Sequence, residues 1–122
     1  DDRGVCPAGW HVPSDAEFTV LTDYLGGESV AGGKMKEAGY EHWNSPNTFA
    51  TNESGFTGLP AGHHYYANGG GYVSMGNIGS FWSSSEVNSV GSWSRILGYD
   101  NSDVNRYYNG KRHGFSIRCV AD

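Results

Sequence analysis

The sequence predicts an α+β fold: one clear helix near the start, then short antiparallel strands joined by long turns. Three observations lead there. A capping signature precedes a short apolar stripe of helical period. Glycine numbers 19 in 122 residues, and Asn, Ser and Pro crowd the middle of the chain. Two later runs alternate apolar and polar residues with period two, as half-buried strands do.

The helix comes from "CPAGWHVPSDAEFTVLTDYLGG". Pro13 stops what precedes it, and Ser14 and Glu17 form an S-x-x-E capping box. Asp15 and Ala16 suit a first turn. Phe18, Leu21 and Leu25 share one face, and Gly26-Gly27 permit a left-handed end. A helix is therefore predicted over residues 14–25. A second short helix or helical turn follows in "ESVAGGKMKEAGYEHW", carrying Val30, Lys34 and Met35, with Gly32-Gly33 expected to interrupt it. Residues 44–79 are dense in turn formers. Short strands are predicted there at 56–59, 63–66 and 72–75, and another at 80–85. "SWSRILGY" sets Trp93, Arg95, Leu97 and Tyr99 against Ser94, Ile96 and Gly98. "HGFSIRCV" sets Phe115, Ile117 and Cys119 against Ser116, Arg118 and Val120. These last two are the strongest strand signals.

The length fits one domain, residues 6–122, with residues 1–5 reading as a leader or linker remnant. Four Trp, eight Tyr and five Phe imply an aromatic core and argue against disorder. Net charge is -5, and the one basic cluster is Lys111-Arg112-His113, so nucleic acid is not an expected partner. No apolar run approaches the ~18 residues of a membrane span, and no signal peptide is present, so no membrane insertion is expected. Two cysteines, Cys6 and Cys119, lie near the two ends. They read either as a disulfide or as two unrelated buried thiols. The disulfide is the favoured reading; it closes a loop worth roughly 4–5 kcal/mol in the chain-entropy model and implies an extracytoplasmic protein.

Catalytic and metal patterns are sparse. His11, His42, His63, His64 and His113 show no zinc-ligand spacing, and adjacent His63 and His64 would face opposite ways in a strand. Asp100 to Asp103 with Asn105 gathers oxygens that could attract calcium, but the Gly and closing Glu of an EF-hand loop are absent. A solvated turn is favoured, so no metal or cofactor is expected, with calcium as the alternative. There is no nucleophile elbow, phosphate loop or dinucleotide fingerprint, and "GGGY" (69–72) reads as a turn. An enzyme is not expected. What remains is composition. Residues 86–113 are rich in Tyr, Asn, Ser and Gly, with Trp93 and with Arg95, Arg106 and Arg112 as anchors; this is the vocabulary of a binding surface. The alternative is a polar β-hairpin with loops and no partner.

"CPAGWHVPSDAEF", "AGGKMKEAG", "SGFTGLPAG", "GSFWSSSE" and "GFSIRCV" occur in that order. Together they resemble the Fibrobacter succinogenes major paralogous domain, which is similar to the C-type lectin fold in its formylglycine-generating-enzyme branch. The resemblance implies a C-type lectin-like architecture and a Cys6–Cys119 pair. It also implies a strand-bearing segment upstream of "CPAGWH", and a place on secreted proteins, lipoproteins or surface adhesins of Bacteroidetes. The enzyme activity does not carry over, because both cysteines match structural positions. The Glu-Pro-Asn sugar motif of calcium-dependent lectins is missing; "SPN" at 45–47 lacks the carboxylate.

Residues 87–113 also resemble the variable region of proteins diversified by retroelements, in which mutation at adenines alters Asn-type codons. In residues 86–113, only Glu86, Trp93 and Lys111 are types such mutation cannot reach. The resemblance implies a variable, ligand-binding set of Val87, Val90, Gly91, Ser94, Ile96, Gly98, Asp100, Asn101, Asp103, Asn105, Tyr107, Tyr108, Asn109, Gly110, Arg112 and His113. Trp82, Trp93, Arg95, Leu97 and Tyr99 would be fixed scaffold. The expected function is non-enzymatic binding of a protein or glycan on another cell or phage surface. Display would be extracellular, on a lipoprotein, pilus tip or phage. The alternative is a carbohydrate-binding module of fixed specificity, stacking sugars on Trp43, Tyr65, Tyr66 and Tyr72.

Overall fold

In the computed structural model, residues 5–64 and 72–122 are described. Their elements are β1 (Trp10–His11), α1 (Asp15–Tyr24), α2 (Glu28–Met35), β2 (His63–His64), β3 (Tyr72–Val73), β4 (Ile78–Asn88), β5 (Gly91–Gly98), β6 (Val104–Gly110) and β7 (Val120–Ala121). All strand pairs are antiparallel: β1 with β7, β2 with β3, and a three-stranded sheet in the order β4-β5-β6. The class is α+β, as the sequence predicts.

The first helix forms where its capping box places it. Ser14 Oγ accepts from the Glu17 backbone N–H at 3.1 Å, and Glu17 Oε1 accepts from the Ser14 N–H at 3.0 Å. Phe18 and Leu25 of its stripe are buried, and Leu21 packs against the core at its edge. The second helix runs straight through Gly32-Gly33, contrary to the expected interruption. A Cβ on Gly32 would overlap the Asp103 carbonyl, and one on Gly33 would overlap the Phe49 carbonyl. These glycines serve close backbone approach rather than helix breaking.

Several strand expectations need correction, among them 72–75, of which only Tyr72–Val73 is strand. Residues 56–59 form no strand; a single parallel bridge joins Lys36 to Gly58, while Phe56 still points into the core. Residues 114–119 pair only at isolated bridges, His64 with Gly114 and Phe81 with Ser116, and Ile117 is exposed. The polar run before Gly114, for which no strand is predicted, contains β6, a full partner of β5 from Leu97↔Val104 to Gly91↔Gly110. The strand expected at 80–85 is longer than predicted, spanning Ile78–Asn88, with register shifts after Trp82. Residues 1–4 of the expected leader, and Tyr65, Tyr66 and Gly69 to Gly71, lie outside the described residues.

The core is largely aromatic. Phe18, Phe56 and Phe81 meet in sequence, with ring centroids 6.4 and 5.3 Å apart, joined by Trp43, Met35, Leu97 and Val104. Trp43 is buried and donates its indole N–H to the Gly58 carbonyl at 2.9 Å. The two ends of the chain are fastened together. Cys6 and Cys119 form a disulfide across 113 residues, and β1 pairs with β7 beside it. His11 bridges Glu17 and Asp122 at 2.8 and 2.6 Å. Among the described residues no helix is long and apolar enough to cross a membrane.

Candidate functional site

The register of the three-stranded sheet sorts its side chains onto two faces. Phe81, Arg95 and Arg106 share one row, Leu97 and Val104 another, and Trp93 and Tyr108 a third. Leu97 and Val104 lie in the core, so this face looks toward the helices. α1 is bolted to it through Asp15, the first residue of the helix. Its carboxylate accepts from Arg95 at 2.7 Å and from Arg106 at 2.8 and 2.9 Å. The Arg106 guanidinium also lies 3.5 Å over the Trp93 ring. The hydrogen bond from Arg106, then that from Arg95, holds the Asp15 carboxyl below its usual value against the opposing effect of burial.

The opposite face carries Trp82–Ser94–Tyr107, Ser80–Ile96–Asn105 and Glu86–Ser92–Asn109. Tyr107 is 52% exposed, and Ile96, Asn105 and Asn109 are partly exposed. Beyond β4 the row continues. Ser116 donates to the Ser80 carbonyl and accepts at its own carbonyl from Trp82, at 2.9 and 3.1 Å, which lays residues 114–116 along the β4 edge. Phe115 stacks on Trp82 with centroids 4.4 Å apart; His113 stacks on Phe115 and His63 meets it edge-on. A pocket of about 210 Å³ opens here between residues 61–64 and 114–116. Burial, and then the neighbouring His113, push the His63 pKa down.

The predicted site residues do not form one surface. Ile96, Asn105, Tyr107 and Asn109 do share the outward face. Val87 and Val90 are exposed around the β4–β5 turn, where Asn88 Oδ1 accepts from the Val90 and Gly91 N–H groups. Gly110, Arg112 and His113 lie at this same end, and His113 joins the face through Phe115. Tyr108 projects from the other face, by strand alternation. Two residues are corrected as contact residues. Ser94 is wholly buried, its hydroxyl facing the Tyr107 carbonyl and Asn109 Oδ1 at 3.0 and 2.9 Å. Gly91 is buried beneath the Tyr108 ring.

Asp100, Asn101 and Asp103 sit at the far end of the hairpin, about 20 Å from the β4–β5 turn at ~3.3 Å per strand residue. That loop is fastened from within. Asn101 Oδ1 accepts from the Asp103 N–H, Ser102 donates to the Ser29 carbonyl, and Gly98 and Asn101 turn their carbonyls to Lys36. Asn101 Oδ1, Asp100 Oδ1 and the Gly98 and Asn101 carbonyls of this loop are thereby engaged within the protein. Among the described residues, one group of metal-ligating type lies close enough to share an ion: Glu37, Glu41 and His42. Within it, Glu37 pairs with His42 at 2.9 Å and raises its pKa. Of the expected scaffold, Arg95 and Leu97 are buried, Tyr99 packs against the core, Trp93 lies under Arg106, and Trp82 belongs to the outward face itself. Phe115 and His63 are additions. The signal for Phe115 was its place in an alternating run, which pointed to a core strand instead. Trp43, expected as a sugar platform, is buried and cannot stack a ligand.

Residues 1–121 match the model of the Fibrobacter succinogenes major domain. The chain belongs to that family. The match takes in residues 1–5 together with the disulfide-closed body. No curated protein and no solved structure matches the chain.

Proposed function

We propose that this Fibrobacter succinogenes major domain is a non-enzymatic, surface-displayed binding domain of C-type lectin-like architecture. Its ligand is a protein or glycan on another cell or phage surface. The binding face is the outward side of β4-β5-β6, diversified by a retroelement within residues 87–113. One observation carries the proposal. Tyr107, Ile96, Asn105 and Asn109 project together from a sheet whose reverse side is bolted to α1 by the Asp15–Arg95 pair. Adaptable polar and aromatic groups held on a rigid frame are what a binding surface requires. The disulfide favours an extracytoplasmic setting.

Sequencing the 3′ end of the gene across many cells of the source population tests this. Variation should concentrate at Ile96, Asn105, Tyr107, Asn109 and the Val90 and Arg112 end, at sites that are adenines in a neighbouring template copy. Ser94 and Arg95 should stay constant. Constancy of all of residues 87–113 would refute diversification. A second reading, a glycan-binding module of fixed specificity, is favoured by the Trp82–Phe115 stack beside the pocket. A glycan array that stays blank with and without calcium removes it.

A further inference from the structure

Lys36 follows α2 directly and is wholly buried. Its stem passes the Trp43 ring, with the ammonium nitrogen 5.4 Å from the ring centroid. The ammonium donates three hydrogen bonds: to the carbonyls of Thr48 at 3.0 Å, Gly98 at 2.8 Å and Asn101 at 2.9 Å. These oxygens come from three separate segments: the turn after Pro46, the end of β5 and the β5–β6 loop. Among the described residues no carboxylate contacts the ammonium; Asp100 acts on it through space.

Three carbonyl oxygens converging from three loops are the donor set by which proteins hold a hard cation. Here the cation arrives on a side chain. An ammonium has three N–H groups for three acceptors, so nothing is left unmade; a neutral amine would leave one carbonyl without a donor. Burial pushes the amine down to about 8, which leaves it mostly protonated at pH 7. The surrounding contacts make the position hard to abandon. Gly32 and Gly33 of the same helix press on the Asp103 and Phe49 carbonyls, and Thr48 also donates its N–H to the Tyr99 carbonyl at 3.0 Å. Removing the ammonium would strand three buried carbonyls at the point where α2, residue 48 and the hairpin meet.

We infer that the Lys36 ammonium is the resident cation of this domain, a tethered ion that fixes the β5–β6 hairpin without a metal. The consequence for ligand binding, that it proceeds without calcium, rests on the proposed binding role. The clamp does not, and it is tested without any ligand.

Truncating Lys36→Ala deletes three carbons and the nitrogen, the atoms of propylammonium. The melting temperature of that variant should fall. It should then recover saturably with propylammonium, by about 5 °C at a tenfold excess over the dissociation constant. Wild type should not respond, and neither 1-propanol nor sodium chloride at equal concentration should rescue the variant. Equal rescue by propanol, or no saturable rescue, overturns the inference. Should the variant not fold, wild type decides. At pH 6 its Lys36 side chain should give a slowly exchanging ¹⁵N ammonium signal, and neither EDTA nor calcium should shift melting. A rapidly exchanging or neutral amine, or melting that shifts with calcium or EDTA, overturns it equally.

Discussion

Replacing Asp15 with Asn should cost this domain about 2–3 kcal/mol, and the number follows from who is left behind. Asp15 is the sole carboxylate that contacts Arg95 among the described residues, and the Arg95 side chain is 3% exposed. The substituted amide would keep an oxygen near both guanidinium groups but bring no charge. Arg95 would retain its bonds to the backbone carbonyl of residue 15 and the Thr19 hydroxyl, each 3.1 Å. Removing one partner from a buried ion pair typically costs ~3–5 kcal/mol. Because the Asp15 side chain is 20% exposed, water shares the load and the lower value applies. Arg106 provides the internal comparison. Its side chain is 39% exposed, so Arg106→Ala should cost clearly less than Asp15→Asn, part of it the lost contact with Trp93. Combining Asp15→Asn with Arg95→Met removes the stranded charge and should cost less than Asp15→Asn alone. Urea unfolding with constant m-value reads all four proteins; in heat, the Asp15→Asn shift corresponds to about 10 °C. The acid limb adds a sign. The folded-state pKa of Asp15 lies below its ordinary 3.8. Its contribution is therefore complete above that value and lost as pH falls through the folded pKa, so Asp15→Asn should flatten stability below about pH 4. A cost under about 1 kcal/mol, or an Arg106→Ala cost as large as that of Asp15→Asn, would refute the bolt.

His11 should make stability depend on pH in the opposite sense. Its hydrogen bonds to the Glu17 and then the Asp122 carboxylate raise its pKa above 6.5. Its contribution is therefore fully present below pH 6.5 and lost as pH rises through the folded value. Melting measured from about pH 5 to 8 should show that decline in wild type and not in His11→Ala; parallel curves would count against the bridge. Gly32→Ala should destabilise by about 3 kcal/mol or more, because its methyl would meet the Asp103 backbone rather than a movable side chain. A denaturation midpoint within error of wild type would show that α2 and the β5–β6 loop can separate freely.

Where the fold was legible, the signal was local. Ser14 and Glu17 cap α1 through bonds spanning three residues, and Gly26 and Gly27 adopt the positive φ that ends it. β5 was legible because its buried Arg95 and Leu97 alternate with the partly exposed Ile96 and Gly98. β6 was not. Asn105, Tyr107 and Asn109 on one side and Arg106 and Tyr108 on the other are all at least partly exposed, so an edge strand carries no contrast for period two to detect. Residues 114–119 erred the other way, since their alternation promised a ladder that the backbone makes only at isolated bridges. The same limits governed the site. A polar, tyrosine-rich segment could be nominated, but only the register shows that Tyr107 and Tyr108 diverge and that Ser94 is covered. Lys36 looked like any lysine, because its three acceptors lie 12, 62 and 65 residues away.

Fastening Cys6 to Cys119 also decides how the domain carries load. Tension applied to residue 5 and residue 122 would first peel β7 from β1, a contact of two residues on each side. It would then pass from Cys6 straight into Cys119 through a covalent link. Everything between them, the helices and the three-stranded sheet, lies off the line of force. Pulled in series with other modules, such a unit lengthens by a few residues and then behaves as an inextensible joint. The outward face would hold its shape under shear that unravels an ordinary sheet.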